Sequence, residues 1–443
     1  MIVDCFTFSD ELDLLELRLR VLEDVVDRFV VCEAPFTFRG RPKPLHFAAL
    51  ASERFARWRD RITALAYPGP PDADPWRNEW AQRDFLATAL TDCAADDVIL
   101  IGDCDEIPDP RNVTRRPAAD GILVHRMMMS QGYVNRVTAE GACVWNGTRA
   151  ILPAALARYG SLSEVRKANA DALGRVEGGW HFTSLGGAEA MERKLGSYSH
   201  VELDIPYFRD RRRLEAAYAS TGECVWVPLD GRFPPALRDD PRWRELVWER
   251  PAAGGAPAGL EHAHGALAYV PAGATRVAVL ASEPTAWETA GRERLGGAFA
   301  GIYPSAAALR AASPDADWIV VDGLERRPPG ELGQLAGSRA SLVAFAANAR
   351  SLEVFRRVMD GSGGFPPGRA LGRAEHEAHI AAAGFRVVTA ERVFSRKLAL
   401  PLTDVPLQNA VIDGFAFAEI AAGALHDFLS DAFLFTLAPA AEH

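Results

Sequence analysis

The sequence predicts an α/β chain of two successive domains, each built on a largely parallel sheet, and three observations carry that prediction. Short apolar runs alternate with amphipathic stretches in both halves, which is the pattern of strands joined through covering helices. A segment at 251–274, PAAGGAPAGLEHAHGALAYVPAGA, is dominated by Ala, Gly and Pro and is expected to be a linker without elements of its own. Composition also changes across it. All six cysteines (Cys5, Cys32, Cys93, Cys104, Cys143, Cys224) and eight of the ten tryptophans precede it, and alanine dominates after it. At 443 residues the chain exceeds what one core usually fills. The expected domains are therefore 1–250 and 275–443.

The elements of the first half follow in order. Ile2 to Phe8 reads as a strand, and Ser9 or Asp10 is placed to cap a helix whose apolar face is Leu12, Leu15, Leu19 and Leu22. Phe29 to Cys32 is a second buried strand ending at Glu33. A helix is expected over Ala48 to Arg59, a third strand over Ile62 to Tyr67, and a helix over Trp80 to Leu90. The next segment, DDVILIGDCDEIPDP at 96–110, is the most informative of the chain. Val98 to Ile101 is an unbroken apolar run, suited to a strand covered on both faces. Asp103, Asp105 and Glu106 follow at the carboxyl edge of the sheet, where open α/β folds place ligands. Pro108 and Pro110 are expected to stop the segment running on into a helix. Asp-x-Asp there offers hard oxygen ligands to a divalent cation and leaves positions open for phosphate oxygens.

Charge and cysteine usage exclude other classes. A net charge of −10 and a pI near 5.6 argue against general nucleic-acid binding, which needs clustered Lys and Arg. The cysteines have no Cys-x-x-Cys pair or zinc-like spacing and are read as buried or incidental thiols of a reducing, cytoplasmic setting. The strand-like MIVDCFTF start is expected to leave no room for a signal peptide, and no run approaches a membrane span.

Six motifs in series, MIVDCFTFSDELDLLELRL, VVCEAPFTFRGRPKPLHF, WRNEWAQRDFL, GDCDEIPDP, GGWHFTSLGG and KLGSYSHVE, resemble glycosyltransferase family 17 over about residues 1–250. That family includes enzymes that add GlcNAc in β1,4 linkage to a mannose. The resemblance implies a GT-A-type, Rossmann-like domain, a UDP-sugar donor carrying GlcNAc, a divalent ion such as Mn²⁺ or Mg²⁺, inversion at the anomeric carbon and a glycan or glycoside acceptor. It assigns Asp103 and Asp105 to the metal, with His181 of GGWHF as a further ligand. A core histidine beside Trp180 is the competing reading. Gly178 and Gly179 would let backbone approach a ligand or make a turn.

Donor recognition is placed by topology. Phe6 and Thr7 end the first strand and Glu33 ends the second, where uracil and ribose would lie. Arg77 and Arg83 are candidates for phosphate oxygens, since the guanidinium fork matches them. Lys43 belongs to the family pattern with no derived role. For the general base, Glu202 beside His200 is the first choice and Glu106 the second. Trp145 and Trp180, with Asn146 and Thr148, are candidates for stacking and hydrogen bonding to the acceptor, against a reading as core.

From Thr275 onward RVAVL, DADWIVVDGLE and AEHEAHIAAAGFRVVTAERVF resemble the class I methyltransferase fold. S-adenosylmethionine needs a glycine turn after the first strand, where this chain has ASEPTAWETAG. This half is expected to bind no such cofactor and to serve packing, homo-oligomerisation or acceptor docking, with methylation of the same glycan as the competing reading. For the whole chain, a nucleotide-sugar hydrolase or pyrophosphorylase and an inactive glycan-binding module stand as alternatives. Release of free sugar without an acceptor distinguishes the former, and retention of a metal site argues against the latter.

Overall fold

The structure, a computed structural model, describes residues 1–46, 53–138, 144–168, 173–220, 224–248, 256–313, 315–328, 330–335, 339–348, 372–393, 406–412, 415–421, 427 and 430–440. The chain divides into two compact units, one of Met1–Ser199 with Thr221–Gly254 and one of His200–Ser220 with Gly255–His443. The boundary differs from a single cut near 250, because the 200–220 segment packs with the second unit. No helix among the described residues is long and apolar enough to cross a membrane.

The first unit holds strands β1 (Ile2–Thr7), β2 (Arg28–Glu33), β3 (Ile62–Ala66), β4 (Val98–Asp103), β5 (Glu106–Pro108), β6 (Ile122–Gln131), β7 (Arg136–Thr138), β8 (Trp145–Ile151), β9 (Gly174–Thr183) and β10 (Cys224–Trp226). Their order is β10-β7-β6-β8-β4-β1-β2-β3, with β9 beside both β5 and β6. Strands β4, β1, β2 and β3 are mutually parallel, and β8 turns antiparallel against β4. Alternate residues serve two cores, as the strand period of two requires. Val3, Cys5, Val30, Cys32, Ile99 and Ile101 face one side, with Leu86 and Leu90. Phe6, Phe29, Val31 and Leu100 face the other, against Leu15, Leu19 and Leu22 of the Leu12–Leu22 helix.

Several local expectations shift for identifiable reasons. Glu11, not Ser9 or Asp10, occupies the cap position of the first helix, and its carboxylate accepts from the Ser9 and Asp10 amides. Asp74 caps Pro75–Phe85 by accepting from Trp76 N, so that helix starts earlier than Trp80, and Leu86–Ala89 continues it as a 3₁₀ turn. Pro110 opens a short helix, Pro110–Val113, instead of preventing one, because proline suits the first helical position and Asp109 caps it. The helix expected over Ala48 to Arg59 falls partly outside the described residues, and Glu53–Arg61 is a 3₁₀ helix. Cys5, Cys32, Cys93, Cys104 and Cys224 are free thiols, and burial pushes Cys32 up to about 12. Cys143 lies outside the described residues.

One buried cation organises the site-bearing edge. Arg18, on the first helix, is fully buried and pairs through Nε and Nη2 with both oxygens of Asp4, at 2.7 Å each. Its Nη1 donates to the carbonyls of Asp103 at 2.8 Å and Glu106 at 2.6 Å. The guanidinium also lies 4.5 Å from the Phe6 ring centroid.

The second unit has a six-stranded sheet, β12-β11-β13-β14-β18-β15, made of β11 (Val277–Leu280), β12 (Phe299–Tyr303), β13 (Trp318–Val321), β14 (Ser341–Ala347), β15 (Phe385–Val393) and β18 (Ala432–Pro439). Strands β11 to β14 are parallel, and β18 is antiparallel to β14 and β15. Strands β16 (Pro406–Ile412) and β17 (Phe415–Ala421) form a separate hairpin. Residues 349–371, after β14, lie outside the described residues. The presumption of an element-free linker fails at Leu260–Leu267, a helix with Leu260, Ala263, Ala266 and Leu267 buried against Tyr207, Val279 and Trp287. Apolar residues at three- and four-residue spacing drive it, and its small residues permit close packing.

Two predictions follow from these burials. Arg18→Met leaves Asp4 charged and buried without its partner, so it should cost about 3–5 kcal/mol, read as a lower urea midpoint. Adding Asp4→Asn should restore part of that loss. His125 is fully buried, its ring nitrogens have no hydrogen-bond partner among the described residues, and burial pushes its pKa down to about 4. Its contribution is therefore present above its unfolded pKa of about 6.5 and is lost as pH falls from there towards about 4. His125→Leu should flatten the melting temperature over that window.

Candidate functional site

The carboxyl ends of β1 and β4 bring Thr7 opposite Asp103, and β5 pairs antiparallel with β9 so that Glu106 stands opposite His181. Phe182 N donates to Asp105 O at 2.9 Å, which fastens the acidic turn to β9. Four chain segments thus meet at one sheet edge.

Each acid there is balanced by cations. Asp103 accepts from Arg83 Nη2 at 2.9 Å, with Arg166 Nη2 at 3.5 Å and Thr7 Oγ1 also 3.5 Å away. Burial works to raise its pKa, but Arg83 and Arg166 outweigh it and hold the carboxyl well below the usual range. Asp105 Oδ2 lies 3.4 Å from His181 Nε2 and 3.6 Å from Lys194 Nζ. Burial again opposes ionisation, and the His181 and Lys194 charges bring Asp105 down to about 2. Both acids are therefore carboxylates at neutral pH.

Glu106 has a different part. Its side chain is fully buried, accepts from Trp145 Nε1 at 2.6 Å, pairs with Arg166 and lies 3.3 Å from the Asp103 amide. Such a carboxylate holds its neighbours in place. Trp145 in turn stacks on His181, with centroids 4.6 Å apart and planes 29° apart, so Glu106 positions the imidazole through the indole.

The other nominated residues divide. Arg83 is buried and joins Asp103 to Glu79, at 2.9 and 3.0 Å. Phe6 is fully buried under Arg18 and faces the core, which removes it from uracil recognition. Glu33 is fully buried, paired with Lys43 at 2.5 Å and bonded by His46 N at 2.8 and 2.9 Å, so it braces a loop and does not face ribose. Lys43 gains its role as that partner. Arg77 is exposed, near Asp72 and Asp74. Trp180 is partly buried and donates through Nε1 to Arg232 O at 2.8 Å. Asn146 O accepts from Arg149 and Arg166, and Thr148 Oγ1 donates to Glu106 O at 2.9 Å. Glu202 is buried, meets His200 Nδ1 at 2.7 Å and belongs to the second unit. Sequence reasoning missed Arg166, Lys194, Glu79 and Arg18. Arg18, Glu79 and Lys194 lie within the quoted motifs MIVDCFTFSDELDLLELRL, WRNEWAQRDFL and KLGSYSHVE, and Arg166 lies outside all six.

Whether these residues suit a divalent ion can be tested on the donors themselves. Among the described residues no group of three or more His, Cys, Asp or Glu side chains is arranged to hold one. Asp105 Oδ2 and His181 Nε2 do fit as two adjacent ligands: neighbouring donors on an octahedral ion at about 2.1 Å stand about 3 Å apart, close to the 3.4 Å observed. An imidazole and a carboxylate suit Mn²⁺, and the remaining positions would fall to water and substrate oxygens. Asp103, the other acid assigned to the ion, is held by Arg83 and Arg166.

Residues 1–215 match the family model of glycosyltransferase family 17. The chain is 34% identical over 131 residues to the beta-1,4-mannosyl-glycoprotein 4-beta-N-acetylglucosaminyltransferases of Rattus norvegicus, Homo sapiens and Mus musculus. The matched stretch is 28% of this chain and spans only 22–23% of the length of those relatives. Among solved structures, a chain from the complex of the Haloferax volcanii Trm112 methyltransferase activator is similar at 15% identity and a TM-score of 0.25, covering 42% of this chain and 92% of that one. A score that low assigns no fold.

Gly179 makes the β5–β9 pairing possible. Its φ is +114°, and a Cβ there would stand 2.7 Å from Ile107 O and 3.0 Å from Pro108 Cα. Gly179→Ala should therefore push β9 off β5, cost about 1–3 kcal/mol and displace His181 from Trp145. Thermal melts read the first effect, and a change in Trp145 fluorescence, referenced to Trp145→Phe, reads the second.

Proposed function

We propose, because residues 1–215 match the family model of glycosyltransferase family 17, that this enzyme transfers GlcNAc from UDP-GlcNAc to a hydroxyl of a glycan or glycoside, with inversion and with a divalent ion. The observation that carries the proposal is the ring of Arg83, Arg166, Lys194 and His181 around Asp103 and Asp105 at the end of a parallel sheet. Sugar identity is taken from the names of the relatives. The parallel order β4-β1-β2-β3, with the acids at its carboxyl edge, supports a GT-A-type arrangement.

The residues divide the chemistry. Asp105 and His181 would hold the ion, which supplies charge to the diphosphate as the glycosidic C–O bond breaks. Lys194, partly exposed, and Arg166 present positive charge to the same leaving group. Asp103 keeps Arg83 and Arg166 in place. Trp145, half-buried, and Trp180 offer apolar surface for the acceptor sugar, with Asn146 beside Trp145. The acceptor hydroxyl must lose its proton as its oxygen attacks the anomeric carbon from the face opposite UDP.

UDP release, measured with and without Mn²⁺ over a panel of glycan and glycoside acceptors, tests this reading. Transfer should require both the ion and an acceptor; sugar release without acceptor would instead indicate a hydrolase. Asp105→Asn should lower kcat by about hundredfold and weaken Mn²⁺ binding in calorimetry, with little change in the melting temperature. His181→Ala should weaken the same binding. Normal Mn²⁺ affinity and turnover in both variants would remove the metal assignment.

A further inference from the structure

The second unit has a ligand crevice of its own. From β11 the chain passes to β12 on one side and then crosses to β13 on the other, so β11 is a switch point of the sheet. Open α/β sheets hold ligands outside the carboxyl ends of strands at such points. A cavity of about 520 Å³ opens there, its wall formed by the segments just beyond these three strands: Ser282 after β11, Ser305 after β12, and Arg326 with Arg327 after β13, closed by Glu331 and Gln334. That volume is within the range of small-molecule sites.

Arg327 is 7% exposed. Its Nη1 donates to Pro304 O at 2.8 Å and stands 3.6 Å from Glu331 Oε1, while its buried Nη2 has no hydrogen-bond partner among the described residues. A guanidinium stays charged, and a buried donor left unsatisfied is unfavourable unless a ligand provides the acceptor. Arg326 has 60% of its side chain exposed and donates through Nε to Glu325 Oε1 at 3.1 Å, which leaves its terminal nitrogens for a ligand. The rest of the lining is not cationic. Glu331 is buried and accepts from Ala306 N at 2.9 Å, and Ser282, Ser305 and Gln334 add neutral polar groups. Two arginines, a carboxylate paired with one of them, and hydroxyls suit a ligand that carries one compact anion together with hydroxyl groups.

We propose that this crevice binds the phosphomonoester of a small polyol, a sugar phosphate, with Arg326 and Arg327 on the phosphate and Glu331 and Gln334 on hydroxyls. The loop after β11 agrees with that choice over a nucleoside cofactor. Glu283 and Pro284 lead directly into the Pro284–Leu295 helix, and proline supplies no amide donor where a glycine turn would approach an adenosyl ligand. The site stands apart from the transferase reading and does not depend on it.

Calorimetric titration of the full chain with glucose 6-phosphate tests the proposal, with glucose, inorganic phosphate and S-adenosylhomocysteine as parallel ligands. Glucose 6-phosphate should saturate in the submillimolar range, with glucose and inorganic phosphate each weaker by about tenfold or more. Arg326→Gln, an exposed change that the fold should tolerate, should weaken glucose 6-phosphate by about tenfold, and Gln334→Ala should weaken it while leaving inorganic phosphate unaffected. Four results would overturn the site: no saturation at millimolar ligand, equal affinity for inorganic phosphate, binding indifferent to Arg326→Gln, or tight S-adenosylhomocysteine binding that competes with glucose 6-phosphate.

Discussion

The Arg18 guanidinium is the constraint on which the site of the first unit rests. It reaches from the first helix under β1, satisfies Asp4, and spends its remaining donors on the Asp103 and Glu106 carbonyls. Those two carbonyls bracket the turn that carries Asp105. A buried ion pair of this kind adds little to net stability, since desolvation offsets most of its attraction. Its effect is on geometry, because few arrangements of helix, strand and turn satisfy one planar fork at four acceptors. Phe6 completes the enclosure from above the guanidinium, which is why a strand-end aromatic here serves the core.

The same logic extends outward from that turn. Arg166 lies within ion-pair distance of both Asp103 and Glu106, and Glu106 also fixes the Trp145 indole. The indole lies flat on His181, and His181 faces Asp105. Acid, cation, acid, aromatic and imidazole therefore form one connected chain, and none of its members has an independent rotamer. A charge cluster left to repel itself would instead shift its protonation states. Here both acids of the Asp-x-Asp remain ionised because cations lie within about 3 to 4 Å of each. Such fixed charge costs no reorganisation when an anionic leaving group forms.

How much of this was legible in the sequence depended on the range of the interaction. Strands β1, β2, β4, β11 and β13 were readable because strands covered on both faces are continuous apolar runs, and the acids after β4 were readable because strand ends place ligands. Position at a strand end, however, does not say which way a side chain points. Phe6 and Glu33 sit at such ends and turn inward, the first to the core and the second to Lys43. The roles of Arg18 and Arg166 were not legible because their partners lie 14 to 88 residues away along the chain, beyond any local pattern. The Leu260–Leu267 helix was hidden by composition. Its Gly265 reads as a breaker, yet a Cβ there would stand 2.7 Å from the Tyr207 ring, so the residue that weakens the helix locally is the one that lets it pack.

That packing has a consequence for how the chain can be divided. It passes from the first unit to the second at 199–200, returns at 220–221 and crosses again at 254–255. The helix Arg211–Ala219 lies against Leu260–Leu267, and Tyr207 hydrogen bonds His262 at 3.0 Å, which in turn meets Asp322 at 3.2 Å beyond β13. A cut near 250 would therefore remove from the 200–220 segment the partners that bury Tyr207, Leu260 and Ala263, and would expose apolar surface on both products. The KLGSYSHVE motif is itself split, with Lys194 at the acids of the first unit and His200 with Glu202 in the second. The family match, ending at 215, already includes the 200–215 part of the second unit.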